Sequence, residues 1–174
     1  MFSDCMSLIS LDLSNFNAKY VSNMEYMFYN CKSLISIDLS NFNTQNANYM
    51  RNMFCNCKSL LTLDLSNFNT QKVYSMAFMF SGCKSLISIN LSNFNTQNLH
   101  FMRYMFLDCN SLISLDLSSF NTQKVYSMPY VFSNCNSLIS IDISSNFSKD
   151  FGHNISYAFS NSNSLIYKNK QLIL

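Results

Sequence analysis

Six cysteines fall at positions 5, 31, 57, 83, 109 and 135, a constant interval of 26 positions, and thiols at fixed spacing could in principle form disulfides or hold zinc. Neither chemistry suits the pattern. Residues repeated in register on parallel segments lie about 4.8 Å apart, inside the disulfide range, yet their side chains point the same way rather than toward each other. Zinc takes four ligands converging on a tetrahedron, not a line of them. From Cys31 onward each thiol also closes an apolar i, i+3, i+4, i+7 set, where free Cys acts as a small hydrophobe. The spacing therefore predicts a ladder of buried free thiols, in which Ser on a middle rung leaves a hydroxyl unpaired. Cys55 lies off the ladder, in Cys55-Asn56-Cys57, and is expected at the surface.

Other chemistry fares no better. The methionine pairs, Met24/Met27 through Met102/Met105, share the apolar helical spacing with Phe and Cys and read as core rather than metal ligands. His100 and His153 stand on unrelated segments, with no nucleophile–base pairing legible from spacing. With only Gly82 and Gly152, no Gly-rich phosphate loop can be built. The expectation is a chain that is not an enzyme and takes no metal or cofactor.

Composition narrows the class further. The 174 residues carry 11 basic and 9 acidic side chains, and charged residues total 11%, against about 25% in ordinary domains. So neutral a surface does not suit nucleic acid, whose phosphates demand many Lys and Arg. No apolar run reaches the roughly 18 residues of a membrane span. At 48% hydrophobic the chain is too apolar for disorder. Thirty Ser and twenty-five Asn favour turns and ladders over helices.

The elements that position these residues follow from the same period. The unit reads M-x-x-M-F-x-x-C-x-S-L-x-S-[LI]-D-L-S-N-F-N-T-Q-x-V-x-x. One extra residue enters near Ser145–Asn154, and Ile155, Ala158, Phe159, Ser162 and Leu165 then restart the pattern 27 positions on. A period of this size marks a solenoid, each coil burying its apolar edge only against its neighbours. Residues 1–174 are read as one solenoid of six to seven repeats, with 145–174 an irregular final repeat and partial cap in which Lys168 and Lys170 discourage further docking. Met24, Met27, Phe28 and Cys31 predict a short helix of about two turns. Ser36-Ile37-Asp38-Leu39-Ser40 alternates like a strand with one buried face. Helices pack 8–10 Å apart and strands about 4.8 Å, so the stack should curve, with a parallel β-sheet on the concave side and short helices or turns on the convex side.

These residues resemble a family. Leu-x-x-[Leu/Ile]-x-Leu is similar to the strand signature of leucine-rich repeats, and Val-x-x-Met-x-x-Met-Phe-x-x-Cys-x-Ser-Leu looks like the BspA-like branch, the 26-residue repeat of bacterial surface proteins. Ile155-Ser-Tyr-Ala158-Phe159-Ser-Asn-Ser162 resembles a shorter form of that repeat with Ser in place of Cys. The resemblance implies a leucine-rich-repeat solenoid at the cell surface or secreted, adhering to a protein or glycan. The start, Met1-Phe2-Ser3-Asp4, lies mid-repeat and lacks a signal peptide. That reads as a fragment of a longer protein, keeps a cytoplasmic location open, and leaves an open N-terminal end through which chains could self-associate.

Two surfaces are candidates for a partner. Asp12, Asp38, Asp64, Asp116 and Asp142 project between buried strand residues, with Asn90 interrupting them. Tyr26, Phe78, Tyr104 and Tyr130 share one position off the apolar face, with Asn52 breaking the row and Tyr157 continuing it. Rows of Tyr are typical of contact surfaces, though they could equally stack as an outer layer. The functional expectation is a non-catalytic protein-interaction or adhesion module. The alternatives are a structural spacer or self-associating stalk and an intracellular scaffold, the last favoured by free cysteines.

Overall fold

The computed structural model describes residues 1–126, 128–147 and 155–165. It is almost free of helix. Strand β1 (Thr62–Asp64) pairs in parallel with β2 (Ser88–Asn90), and β3 (Ser114–Leu117) with β4 (Ser140–Ile143), giving two two-stranded sheets. Every partner lies one sequence period on: Leu63 faces Ile89, and Asp116 faces Asp142. The repeat of the sequence is thus the register of the sheet. Outside the strands the same offset continues. The amide of Ile35 donates to Ile9, Leu61 to Ile35, Ile87 to Leu61, Ile113 to Ile87 and Ile139 to Ile113, at 2.8–3.3 Å.

The expected two-turn helix does not form at Met24–Cys31. The four apolar residues are buried there as the spacing requires, but on consecutive tight turns. Met27, Tyr29 and Cys31 each donate to the carbonyl three residues back, while Tyr26, Phe28 and Asn30 donate to Arg51, Met53 and Cys55 of the next repeat. The physical cause is backbone handedness. Tyr26 and Asn30 have φ of 58° and 61°, a left-handed conformation that ends a right-handed helix and fits the third position of a type II turn. An α-helix would consume these amides internally; the turns release every second one to bind the neighbouring repeat.

The extra residue is visible in this ladder. Phe106 donates to Val131, whereas Phe132 donates to Ala158, one position further along than the earlier pairing. There the single helix among the described residues, α1 (Ile155–Ala158), begins the final repeat. The cap expected from Lys168 and Lys170, and His153, lie outside the described residues.

The core is two columns of phenylalanine. Phe2, Phe28, Phe54, Phe80, Phe106, Phe132 and Phe159 stack face to face at 5.1–6.0 Å. Phe16, Phe42, Phe68, Phe94 and Phe120 form a parallel column at 5.6–6.5 Å. Deep between coils, polar groups are paired. The hydroxyl of Thr70 donates to Asn95 O and accepts from Asn95 N–H, and Thr44 and Thr96 repeat the bridge. These fully buried threonines are the polar staple of each coil. Asn divides into two jobs: Asn67 reaches back to the carbonyls of Leu39 and Ser40, whereas Asn43, Asn69, Asn95 and Asn121 each accept an amide two residues on, closing their own turn.

Candidate functional site

All seven cysteines are free thiols. Five of the six ladder thiols point back one repeat, Cys31, Cys57, Cys83, Cys109 and Cys135 donating to the carbonyls of Phe2, Phe28, Phe54, Phe80 and Phe106 at 3.1–3.2 Å. Burial pushes these thiols up from their ordinary range, Cys135 to about 12. Cys5 is exposed. Cys55 is not at the surface as its off-ladder place suggested. It is 7% exposed, between Asn52 and the side chain of Ser81, and desolvation lifts it to about 11. Its cover comes from one period on: Ser81, itself buried, holds the same place in the next repeat and hydrogen-bonds the Cys55 thiol.

The acidic row is exposed throughout, but its oxygens have local work. The backbone amides of Ser14, Ser40, Ser66 and Ser118 donate to Asp12, Asp38, Asp64 and Asp116 at 2.8–2.9 Å. Backbone hydrogen bonds from Ser14, Ser40 and Ser66 hold Asp12, Asp38 and Asp64 below the ordinary carboxylate range. Asn90 accepts from Ser92 in the same way at 3.1 Å, so the break in charge is not a break in geometry. Asp142 lies in β4, facing Asp116.

Beside this row runs a feature the sequence pattern concealed. Ile9, Ile35, Leu61, Ile87, Ile113 and Ile139 are each 43–60% exposed and are joined repeat to repeat by their backbones. They form an aliphatic stripe along the strand side. The available signal was a position written as variable in the unit, between the Leu and the Ser or Thr of each coil, that is aliphatic in all six.

The aromatic row assembles only in part. Phe78 stacks on Tyr104 at 4.6 Å, Tyr104 on Tyr130 at 5.2 Å and Tyr130 on Tyr157 at 5.3 Å. Tyr26 stands apart, edge-on to Tyr29, because buried Asn52 occupies the repeat between. Phe78, Tyr104 and Tyr130 all have φ of 54–59°, as Asn52 does at 56°. Aromatic side chains are held here in a conformation that ordinarily costs about 1–2 kcal/mol.

A groove of about 240 Å³ opens on the turn side, lined by Glu25, Tyr49, Arg51, Tyr74, Ser75, Ala77, Phe101 and Arg103. Its backbone floor is a line of parallel bridges, Asn23 to Tyr49 to Ser75 to Phe101. Tyr74 meets Tyr49 and Phe101 edge-on at 6.4 and 5.4 Å and lies flat on His100 at 4.4 Å. Among the described residues no His, Cys, Asp and Glu cluster could hold a metal, and no helix is long and apolar enough to cross a membrane.

No curated protein and no solved structure matches the chain. One family pattern does, over residues 1–89 and again over 56–171, overlapping spans that a repeated sequence permits. On that match, which takes in nearly the whole length, the chain belongs to the family described as Mycoplasma protein of unknown function, DUF285.

Proposed function

We propose that this chain is a non-catalytic binding module: a leucine-rich-repeat solenoid of the BspA-like kind, carried by a cell-surface protein and used for adhesion to a protein or glycan. The observation that carries the reading is the aliphatic stripe from Ile9 to Ile139, exposed on six successive coils beside the Asp row. Contiguous exposed apolar surface is seldom kept without something to cover it. The Phe78–Tyr157 aromatic stack supplies a second contact surface of the type enriched at interfaces. The test is binding of the purified chain to extracellular-matrix proteins and to intact cells. Saturable binding, weakened by Ile87→Ser with Ile113→Ser, is expected; no saturable binding to any of them overturns the reading.

A structural spacer is the second reading, and the uniformity of the stripe and of the Asp row favours it, since a spacer needs only regular coils. It predicts no binding in the same experiment, with the coils extending whatever domains they join.

A further inference from the structure

We infer that the groove between Arg51 and Arg103 is a site for a carboxylate-bearing sugar, a uronate-type acidic monosaccharide unit. The inference rests on the binding-module reading and gives that module a ligand class. Arg51, Ala77 and Arg103 occupy the same position in three successive repeats, so two guanidiniums flank a single methyl group. The Arg51 Nε is buried and has no hydrogen-bond partner. A guanidinium stays charged and offers only donors, so a buried N–H without an acceptor is costly, and the side chain gains by turning its fork toward an acceptor brought into the groove. Glu25, next in the same column, does not serve: its amide and carboxylate are both turned to Asn23, at 2.8 and 3.5 Å. The Arg103 guanidinium leans back one repeat, 6.0 Å over the ring of Phe78, toward the coil that carries Ala77.

The remaining walls choose among anions. Planar guanidinium forks match a carboxylate in paired hydrogen bonds. Phosphate would be held by the same forks, but a doubly charged group is disfavoured by Glu25 at the end of the groove. Tyr49, Tyr74 and Phe101 are all partly exposed and offer ring faces and edges for the apolar C–H face of a sugar. The volume, about 240 Å³, equals roughly eight waters at about 30 Å³ each. That admits one ring with its substituents within the groove.

The experiment is calorimetric and NMR titration of the intact chain with glucuronic acid, glucose, inorganic phosphate and a short acidic peptide. Glucuronic acid is expected to saturate at millimolar concentration, with glucose at least about tenfold weaker. Arg51→Gln and Arg103→Gln should each weaken glucuronate at least about tenfold with the thermal melt unchanged. Ala77→Leu, which fills the gap without touching charge, should do the same and covers the case of an arginine variant that fails to fold. Equal binding of glucose, a phosphate or peptide response as strong as that of glucuronate, or insensitivity to Arg51→Gln and Ala77→Leu would overturn the proposal. Full binding to matrix proteins or cells by Arg51→Gln refutes the groove and leaves the module reading standing. Glucuronate binding without any cell or matrix binding does the reverse.

Discussion

The thiol of Cys83 donates to the carbonyl of Phe54, 3.1 Å away and one repeat back. In the last repeat the hydroxyl of Ser162 donates to the carbonyl of Phe132 at 2.6 Å, across the longer offset left by the extra residue. The two side chains do the same work. Ladder cysteines are therefore both hydrophobes and donors, and a hydroxyl on a rung finds an acceptor waiting instead of being left unpaired.

Cys83→Ser should accordingly cost under about 1 kcal/mol, since the hydrogen bond survives and only the soft sulfur surface is lost. Cys83→Val adds bulk in a packed core and removes the donor, and should cost about 1–3 kcal/mol. Urea unfolding of both variants checks the order. A Ser variant less stable than the Val variant would mean that the thiol acts by packing alone.

Alkaline pH should unfold the chain early. A thiol ordinarily ionises near 9.0, and the fold holds Cys135 up to about 12. Above 9 the unfolded chain sheds protons that the folded chain retains, so stability is full below that pH and falls as pH climbs toward 12. Each pH unit in that window removes on the order of 1 kcal/mol for Cys135, and the other buried rungs add to it. Melting curves from pH 8 to 11 test this, with Cys135→Ser expected to flatten the slope.

The sequence disclosed register and core because both depend on side-chain type at a fixed period. Phe54 stacks on Phe80, and Leu63 faces Ile89, wherever the repeat spacing says they must. It misstated the Met24–Cys31 segment because two tight turns and two helical turns bury the same side chains, Met24, Met27, Phe28 and Cys31. What separates them is the left-handed φ of Tyr26 and Asn30, which apolar periodicity does not register. The Asn, Asp or Gly found at the Asn30 position in every repeat was the clue, since those types tolerate that conformation. The Arg51 groove was less legible still. It depends on residues that differ between repeats, and only folding brings Tyr49, Arg51 and Phe101 to one place.

If a macromolecular partner is found, the aromatic stack should matter more to it than the acidic row. Exposed charges typically contribute under about 1 kcal/mol each, whereas aromatic anchors reach about 2 kcal/mol or more. Asn is the clean replacement, because Asn52 already holds this position at φ 56°. Tyr104→Asn and Tyr130→Asn should weaken binding more than Asp116→Asn, which keeps the acceptor for Ser118, as Asn90 does for Ser92. The reverse ranking together with strong salt dependence would assign the contact to the acids.

Gly82 stands in a column that is otherwise Asn or Asp. Asp4, Asn30, Asn56, Asp108, Asn134 and Asn161 share its place in the repeat at φ of 59–61°, against 75° at Gly82. Asn30 donates to Asp4 at 2.8 Å, Asn134 to Asp108 at 2.6 Å and Asn161 to Asn134 at 2.9 Å. A Cβ at Gly82 would collide with Asn56 Oδ1, the far end of a side chain that can rotate aside. Gly82→Asn should then be close to neutral, within about 0.5 kcal/mol, the left-handed strain and the displacement of Asn56 set against a less flexible unfolded chain and the new side-chain amide. Gly82→Val, β-branched and without the amide, should destabilise at the same φ. Thermal melts decide the matter: an Asn variant that melts well below the parent would show that Asn56 cannot move, and that the break in the column is fixed by packing.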